Sequence, residues 1–156
     1  MASQLTFTQM EKALRTAGYR LTPQRRAILQ YLASTRSHPS ARQVFEEVGK
    51  MHHELSLATV YNTLGALLRT GLIKMLEFDV ENRVEANVSY HINLVCTMCG
   101  RITDLEEDLP HSPQELSNKT GFHIVDYRLE YYGLCPECLE KERNSKVKET
   151  EFHPEE

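Results

Sequence analysis

Four cysteines stand in two C-x-x-C pairs, Cys96 with Cys99 and Cys135 with Cys138. Each C-x-x-C turn presents two thiolates to one ion, and two such turns complete the tetrahedral sulfur shell that zinc accepts. Because an all-sulfur shell leaves no open coordination position, we expect a structural zinc ion rather than a catalytic one. A redox dithiol of the thioredoxin type is the alternative, but it needs a single pair near a βαβ unit and leaves the second pair unused.

Nitrogen and oxygen donors lie in sequence around the first cysteine pair. His91 and Asn93 alternate along a predicted strand and therefore share one of its faces. Asp104 follows the cysteine pair, where a hairpin would bring it back beside them, while Glu85 precedes the group and His38 stands before a proline. Imidazole and carboxylate suit iron, manganese and other divalent ions. From spacing alone, ordinary surface positions remain the alternative for each of these side chains.

The first half of the sequence has the spacing of helices followed by a hairpin. Apolar residues recur at helical intervals in four segments, three of them preceded by a capping residue, and two short strand-like runs follow. The helices are predicted over 8–17, from Thr22, from Ser40 and from Ser56 or Leu57, and the strands over 72–78 and 83–86. This order is the plan of a winged helix-turn-helix, whose last helix enters the major groove of DNA. A generic helical bundle is the alternative.

The second half predicts a small domain of strands with one helix. Strand-like runs cover 87–95, 101–105 and 122–134, and a helix from Ser112 to Thr120 lies between the last two. The cysteine pairs follow the first and the last of these strands. The fold class predicted for the whole chain is therefore α+β, and the polar residues 141–156 are expected to form a flexible tail.

Charge separates the two halves. Residues 1–75 contain ten Lys or Arg and four Asp or Glu, a net charge of +6, whereas residues 76–156 contain eight and eighteen, a net charge of −10. A basic first half favours contact with phosphates. With no run of apolar residues long enough for a membrane span and no secretory signal, we expect a cytoplasmic protein with reduced thiols and no membrane partner.

Several motifs together resemble the ferric uptake regulator family of metal-dependent repressors, over roughly residues 8–140. The motifs are Gly-Tyr-Arg-Leu-Thr-Pro-Gln-Arg at 18–25, Leu-Ala-Thr-Val-Tyr-Asn-Thr-Leu at 57–64, Gly-Leu-Ile at 71–73, and the four cysteines. The resemblance implies a winged-helix DNA-binding domain at residues 1–83. It also implies an α/β dimerisation and metal-binding domain at residues 84–140, held by the structural zinc.

Within that family the chain looks most like the peroxide-stress regulators. The resemblance implies a regulatory Fe(II) or Mn(II) ion whose ligands are His38, Glu85, His91, Asn93 and Asp104. His38 and His91 stand at the positions that are oxidised in that branch when the bound iron meets peroxide. Glu85 and Asn93 depart from its usual Asp and His. Glutamate is longer by one methylene, and a neutral amide oxygen is a weaker donor to iron than imidazole.

The function expected from this resemblance is repression that depends on metal and ends on oxidation. A homodimer with its regulatory ion bound would hold a palindromic DNA operator and release it after a histidine ligand is oxidised. The DNA-contact candidates are Thr59, Tyr61 and Asn62 of the fourth helix, and Arg25, Arg26 and Arg69. The alternatives are a metal-only uptake regulator of the same family, an iron enzyme with a histidine and carboxylate site, and a zinc-bound adaptor. The winged-helix pattern favours a regulator over an enzyme.

Overall fold

The structure of the chain is a computed structural model that describes residues 4–78, 80–108 and 110–150, with side chains to residue 146. The chain divides between Tyr90 and His91 into two compact units, here called unit 1 (up to Tyr90) and unit 2 (from His91). Within the described ranges, no helix has the length and apolar character that crossing a membrane requires.

Unit 1 begins with four helices. The last three start where capping residues predict, whereas the first, predicted from residue 8, begins at Phe7 after a capping residue, Thr6, that was not identified from the sequence. A side-chain oxygen of Thr6, Thr22, Ser40 or Ser56 accepts a hydrogen bond from a backbone N–H in the first turn of the helix that follows it. This bond satisfies one of the N–H groups that a helix start leaves without a partner. The helices are α1 (Phe7–Thr16), α2 (Pro23–Ser34), α3 (Ala41–Gly49) and α4 (Leu57–Arg69).

A two-stranded hairpin completes unit 1. Gly71 takes a φ of +71° after α4, a conformation that glycine adopts without a Cβ penalty, and so ends the helix. Strand β1 (Lys74–Leu76) then pairs antiparallel with β2 (Arg83–Glu85). Beneath them, side chains from all four helices and the hairpin form one buried core. The structure thus confirms the predicted order of four helices and a hairpin; Asp79, in the predicted turn, lies outside the described residues.

Unit 2 contains a three-stranded sheet and two helices. Its elements are β3 (Ile92–Cys96), β4 (Ile102–Leu105), α5 (Pro113–Thr120), β5 (Glu130–Gly133) and α6 (Pro136–Thr150). The central strand is β3, with β4 antiparallel on one side and β5 parallel on the other. Ser112 caps α5 and Gly121 ends it with a φ of +77°, as the sequence predicts. The α+β class is confirmed.

Three boundaries differ from the sequence prediction. Strand β5 occupies only the end of the predicted run 122–134, because its partner β3 begins at Ile92 and pairs with β5 from Glu130 onward. The predicted domain boundary after residue 83 falls inside β2, and pairing with β1 keeps all of β2 in unit 1. The tail predicted to be flexible is helical up to Thr150, within α6, and its last six residues lie outside the described ones.

Candidate metal centres and DNA-facing residues

The four cysteine sulfurs form one cluster in unit 2. Strands β3 and β5 run parallel, with Cys96 opposite Gly133, so the turns that follow the two strands lie at the same end of the sheet. All four Sγ atoms lie within 4.8 Å of one another, and those of Cys99 and Cys135 are 3.9 Å apart. A tetrahedron with zinc–sulfur bonds of about 2.3 Å has edges of about 3.8 Å. The thiols, none of which forms a disulfide, therefore fit a zinc ion.

Backbone amides prepare one thiol of this four-cysteine cluster for metal binding. The N–H of Cys135 donates to Cys96 Sγ at 3.3 Å. This bond, with a second from the N–H of Cys99, lowers the pKa of Cys96 to about 6. Hydrogen bonding to Cys135, followed by burial, raises the pKa of Cys138 to about 12. At neutral pH the free cluster thus holds the Cys96 thiolate beside the protonated thiol of Cys138, whose proton a metal ion must displace.

An ion pair that sequence reasoning missed joins the two cysteine turns. The guanidinium of Arg101 donates to both carboxylate oxygens of Glu137, at 3.0 and 2.8 Å. The pKa of Glu137 is lowered because of this pair, and that of Arg101 is raised. Glu137 lies inside the second C-x-x-C and Arg101 follows the first by two residues. Their proximity depends on the pairing of β3 with β5, which the sequence alone does not predict.

In unit 1, His38 and Glu85 form a buried pair. The Nε2 of His38 lies 2.9 Å from Oε2 of Glu85, and each side chain is 3% exposed. Two bonds bring them together: the N–H of Val84 donates to the carbonyl of Pro39 at 2.8 Å, and Arg83 donates to the carbonyl of His38 at 3.3 Å. Adjacent ligands of an octahedral ion with bonds of about 2.1 Å lie about 3 Å apart. The spacing therefore suits a hydrogen bond and a shared metal ion equally.

In unit 2, the predicted donors His91, Asn93 and Asp104 also come together. Asn93 lies opposite Asp104 in the antiparallel pairing of β3 with β4, as the predicted hairpin requires. Nε2 of His91, one residue before β3, is 3.9 Å from Oδ1 of Asp104. Asn93 is 6% exposed, and its Oδ1 is buried with no hydrogen-bond partner in the described part of the chain. A buried amide oxygen in that condition needs a partner, and a divalent cation would supply one.

The predicted groove-contact residues of α4 differ in exposure. Tyr61 is 59% exposed and Asn62 is also exposed, so both side chains are accessible to a partner. Thr59 is half-buried, and its hydroxyl lies 2.8 Å from that of the capping residue Ser56. The hydroxyl of Thr59 is therefore already engaged by the capping residue at the start of α4.

The three predicted phosphate-contact arginines also differ. Arg26 forms an ion pair with Glu11, with 2.8 Å between Nη1 and Oε1. Neither Arg25 nor Arg69 has a carboxylate partner among the described residues; both lie near the ring of Tyr19 instead. Arg26 is thus the one of the three whose charge is already neutralised locally.

Comparison with known proteins decides the family. The model of the ferric uptake regulator family matches residues 16–132, three quarters of the chain. The chain belongs to the ferric uptake regulator family. The winged-helix pattern of unit 1 and the four-cysteine cluster of unit 2 are thereby those of a metal-dependent regulator of this family.

Relatives within the ferric uptake regulator family include peroxide and metal sensors. The peroxide-responsive repressor PerR of Staphylococcus epidermidis is 37% identical over 131 residues, covering 83% of this chain and 87% of the repressor. The Vibrio cholerae ferric uptake regulator is 28% identical, with a TM-score of 0.66, 80% of this chain covered and 98% of that one. A zinc-bound manganese uptake regulator is 27% identical, with a TM-score of 0.61 and coverages of 81% and 98%.

Proposed function

We propose that this protein is a transcriptional repressor that binds palindromic operator DNA as a homodimer when a regulatory Fe(II) or Mn(II) ion is bound, and that peroxide ends the repression. One observation carries the proposal. Each unit holds its own imidazole–carboxylate pair, the buried His38 with the buried Glu85 in unit 1 and the buried His91 with the half-buried Asp104 in unit 2. Similarity to a peroxide-responsive repressor over 83% of the chain supports the peroxide branch.

The proposed regulatory ligands are contributed by both units. They are His38 and Glu85 from unit 1 and His91, Asn93 and Asp104 from unit 2. An ion that takes ligands from both units binds only the arrangement in which all of them reach it. Its binding free energy therefore shifts the population toward that arrangement, by as much as its affinity for the two states differs.

The structural ion in this proposal is zinc, held by Cys96, Cys99, Cys135 and Cys138. Sulfur ligands suit zinc, and the cluster fits the edge length of its tetrahedron. Because the cysteines connect the ends of β3 and β5 with the start of α6, zinc binding would stabilise the sheet through which we propose that unit 2 dimerises.

DNA recognition is assigned to unit 1. In a winged helix-turn-helix, α4 would enter the major groove, with Tyr61 and Asn62 toward the bases, where asparagine can pair bidentately with adenine. A homodimer presents two such helices to half-sites about 34 Å apart, which matches a palindromic operator. Arg25 and Arg69, which lack carboxylate partners among the described residues, are the better phosphate contacts, and Arg26 the weaker one.

Peroxide sensing is assigned to the histidine ligands. Held by His38 and His91 among its ligands, Fe(II) would supply redox chemistry toward hydrogen peroxide, giving up one electron as the O–O bond breaks and regaining one as the ring is oxidised. Insertion of one oxygen atom into a ring C–H bond of His38 or His91 consumes one peroxide and releases one water. The oxidised ring is a poorer ligand, so the regulatory ion is lost and with it the DNA-binding arrangement. Mn(II) does not deliver this electron readily, and its complex should persist.

Operator binding by the full-length zinc protein tests this function. With an operator selected from random duplexes, we expect tight binding with Fe(II) or Mn(II) and weak binding with neither. Hydrogen peroxide should abolish binding of the Fe(II) form and leave the Mn(II) form bound. Mass spectrometry of the treated Fe(II) protein should find one added oxygen atom on a peptide that contains His38 or His91. Binding that ignores regulatory metal would overturn the proposal.

A metal-only uptake regulator of the same family is the second candidate. It is supported by the similarity of this chain to the solved structures of a ferric and a manganese uptake regulator, at TM-scores of 0.66 and 0.61. The peroxide arm of the experiment separates the two functions. If the protein is a metal-only uptake regulator, both the iron and the manganese forms should remain bound to the operator after peroxide treatment, and neither histidine should gain an oxygen atom.

A further inference from the structure

We propose that Tyr19 organises Arg25 and Arg69 into a clamp for the phosphates of duplex DNA, called here the Tyr19 clamp. This inference rests on the proposed function in one respect only, which is that the partner of the protein is duplex DNA. The clamp is the one place in the described part of unit 1 where a single ring joins two arginines that have no carboxylate partner.

Tyr19 is held firmly enough to position other side chains. It follows the end of α1, where its N–H donates to the carbonyl of Leu14 at 3.0 Å. Its ring packs against the buried core of unit 1. Its hydroxyl, at the outer end, accepts a hydrogen bond from Nε of Arg69 at 3.1 Å. The ring therefore has its body in the core and its polar end at the surface, where it contacts the arginine.

Two guanidinium groups lie near this one ring. Their central carbons are 5.8 Å (Arg25) and 5.9 Å (Arg69) from the ring centroid, within the range of cation–π attraction. Arg25 is further fixed by donating from Nη1 to the carbonyl of Arg20 at 2.6 Å. Each guanidinium is thus oriented before any partner arrives, which lowers the entropy cost of binding.

The clamp lacks negative charge of its own. Neither Arg25 nor Arg69 pairs with a carboxylate in the described ranges, and the Nε of Arg25 is buried with no hydrogen-bond partner there. Neighbouring Arg26, by contrast, pairs with Glu11 at 2.8 Å. Two like charges beside one ring repel each other, so an external anion would stabilise the arrangement.

The location of Arg69 indicates which anion this is. Asn62, Gly65 and Arg69 are spaced by three and four residues, so they lie along one stripe of α4, the helix proposed to enter the groove. Each DNA strand carries a negative charge every 3.4 Å or so along the axis, and guanidinium binds phosphate with two parallel hydrogen bonds. Two guanidiniums beside the groove-facing stripe therefore suit successive phosphates of one duplex.

Gly65 gives Arg69 the room that it needs. A Cβ built at Gly65 would lie 3.2 Å from Nη1 of Arg69, closer than ordinary contact. Alanine at this position would require the guanidinium to shift by a few tenths of an ångström without removing its charge. Gly65→Ala is consequently a test of the position of Arg69 rather than of its presence.

The salt dependence of DNA binding measures how many phosphates the protein contacts, and so tests the clamp. Fluorescence anisotropy with a labelled mixed-sequence duplex gives the slope of log affinity against log salt for the full-length zinc protein. Each lost phosphate contact reduces the slope by about 0.9. We expect that loss for Arg25→Ala and again for Arg69→Ala, and about twice that for the double variant. Arg15→Ala, the matched control whose guanidinium is paired with Glu11 at 3.3 Å, should leave the slope unchanged.

The role of Tyr19 is tested in two backgrounds. Tyr19→Leu should weaken duplex binding several-fold and move the slope toward that of the double arginine variant. In the double variant itself, the same substitution should have no further effect, because nothing remains to be positioned. Tyr19→Phe, which keeps the ring and loses the bond to Arg69, should fall between wild type and Tyr19→Leu. Gly65→Ala, which requires the Arg69 guanidinium to shift by only a few tenths of an ångström, should weaken duplex binding by less than Arg69→Ala does, with the protein fully folded.

Three results would overturn the clamp. A double arginine variant with an unchanged slope, or a wild-type protein that does not bind the duplex, would show that these arginines hold no phosphates. Equal weakening by Tyr19→Leu in both backgrounds would show that Tyr19 acts through the stability of unit 1 alone. Since the mixed-sequence duplex contains no operator, these outcomes are independent of metal-dependent operator recognition, and either proposal can fail while the other stands.

Discussion

At the scale of single residues, Asn93 is the most informative ligand candidate. It lies opposite Asp104 in the β3–β4 pairing, and its buried Oδ1 has no hydrogen-bond partner among the described residues. The side chain is therefore placed as a ligand would be, but it offers a neutral oxygen in place of the imidazole nitrogen that the peroxide-stress regulators usually have. If Asn93 is a ligand, this weaker donor should lower the affinity of the proposed regulatory site for its ion.

Asn93→His should tighten the binding of Mn(II), since imidazole is the better donor to such ions. We expect a gain of about tenfold in affinity, or about 1.4 kcal/mol, by calorimetric titration of the zinc-loaded protein. Asn118→His, on α5 and exposed, serves as the control and should leave the affinity unchanged. An Asn93→His variant that matches wild type would exclude Asn93 from the coordination shell.

At the scale of secondary-structure elements, the two cysteine turns lie at the same end of the neighbouring strands β3 and β5. The strands are parallel neighbours, and a zinc ion at their shared end would join them to α6. Because unit 2 buries few large apolar side chains compared with the core of unit 1, metal binding would contribute a large share of its stability.

Cys96→Ser should release zinc, because a serine hydroxyl at neutral pH is a poor zinc ligand and three thiols do not close the tetrahedron. Loss of zinc should then dissociate the proposed dimer. Zinc content can be read from a chromophoric chelator, and mass from light scattering after size exclusion. Thr97→Ser, the matched exchange at the next position, should keep both zinc and dimer. A folded, dimeric Cys96→Ser protein without zinc would contradict the structural assignment.

Arg101→Ala should leave zinc bound but speed its loss to a chelator several-fold, because the guanidinium neutralises charge beside the thiolates and ties the two turns to each other through Glu137. Arg128→Ala is the control, since that arginine pairs with Glu130 in β5 instead. The stabilisation from the Arg101–Glu137 pair is expected above the ordinary pKa of glutamate. It is lost as pH falls through the lowered pKa of Glu137. Release rates equal to wild type at neutral pH would contradict this role.

At the scale of the whole molecule, the proposed regulatory ion would make the two compact units depend on each other. The prediction concerns one ligand from each. His38→Ala in unit 1 and His91→Ala in unit 2 should each abolish Mn(II)-dependent operator binding while zinc stays in place. The double variant should be no worse than either single one, because both substitutions remove the same ion.

Fluorescence anisotropy with the selected operator measures DNA binding by these variants, and zinc analysis measures whether the structural ion is retained. His111→Ala, in the turn before α5, is the control and should keep metal-dependent binding. If His38→Ala bound the operator normally while His91→Ala failed, the regulatory ion would take its ligands from unit 2 alone. Additive losses would indicate two independent sites.

Much of the molecule follows from short-range sequence signals. Thr22, Ser40, Ser56 and Ser112 predict the starts of four helices, because a capping side chain serves the backbone beside it and depends little on distant residues. The hairpin and the two cysteine pairs are local patterns of the same kind. The asymmetry of charge between the halves also needs only the composition.

The tertiary structure decided what depends on pairing across distance. The length of β5 is set by where its partner β3 begins, so a run that looks like a strand from residue 122 forms one only from Glu130. The same parallel pairing places Arg101 beside Glu137, and the packing of α2 against both α1 and α4 places Arg69 against Tyr19, fifty residues away in sequence. Periodicity and capping report one segment at a time, whereas these contacts exist only after several segments have packed.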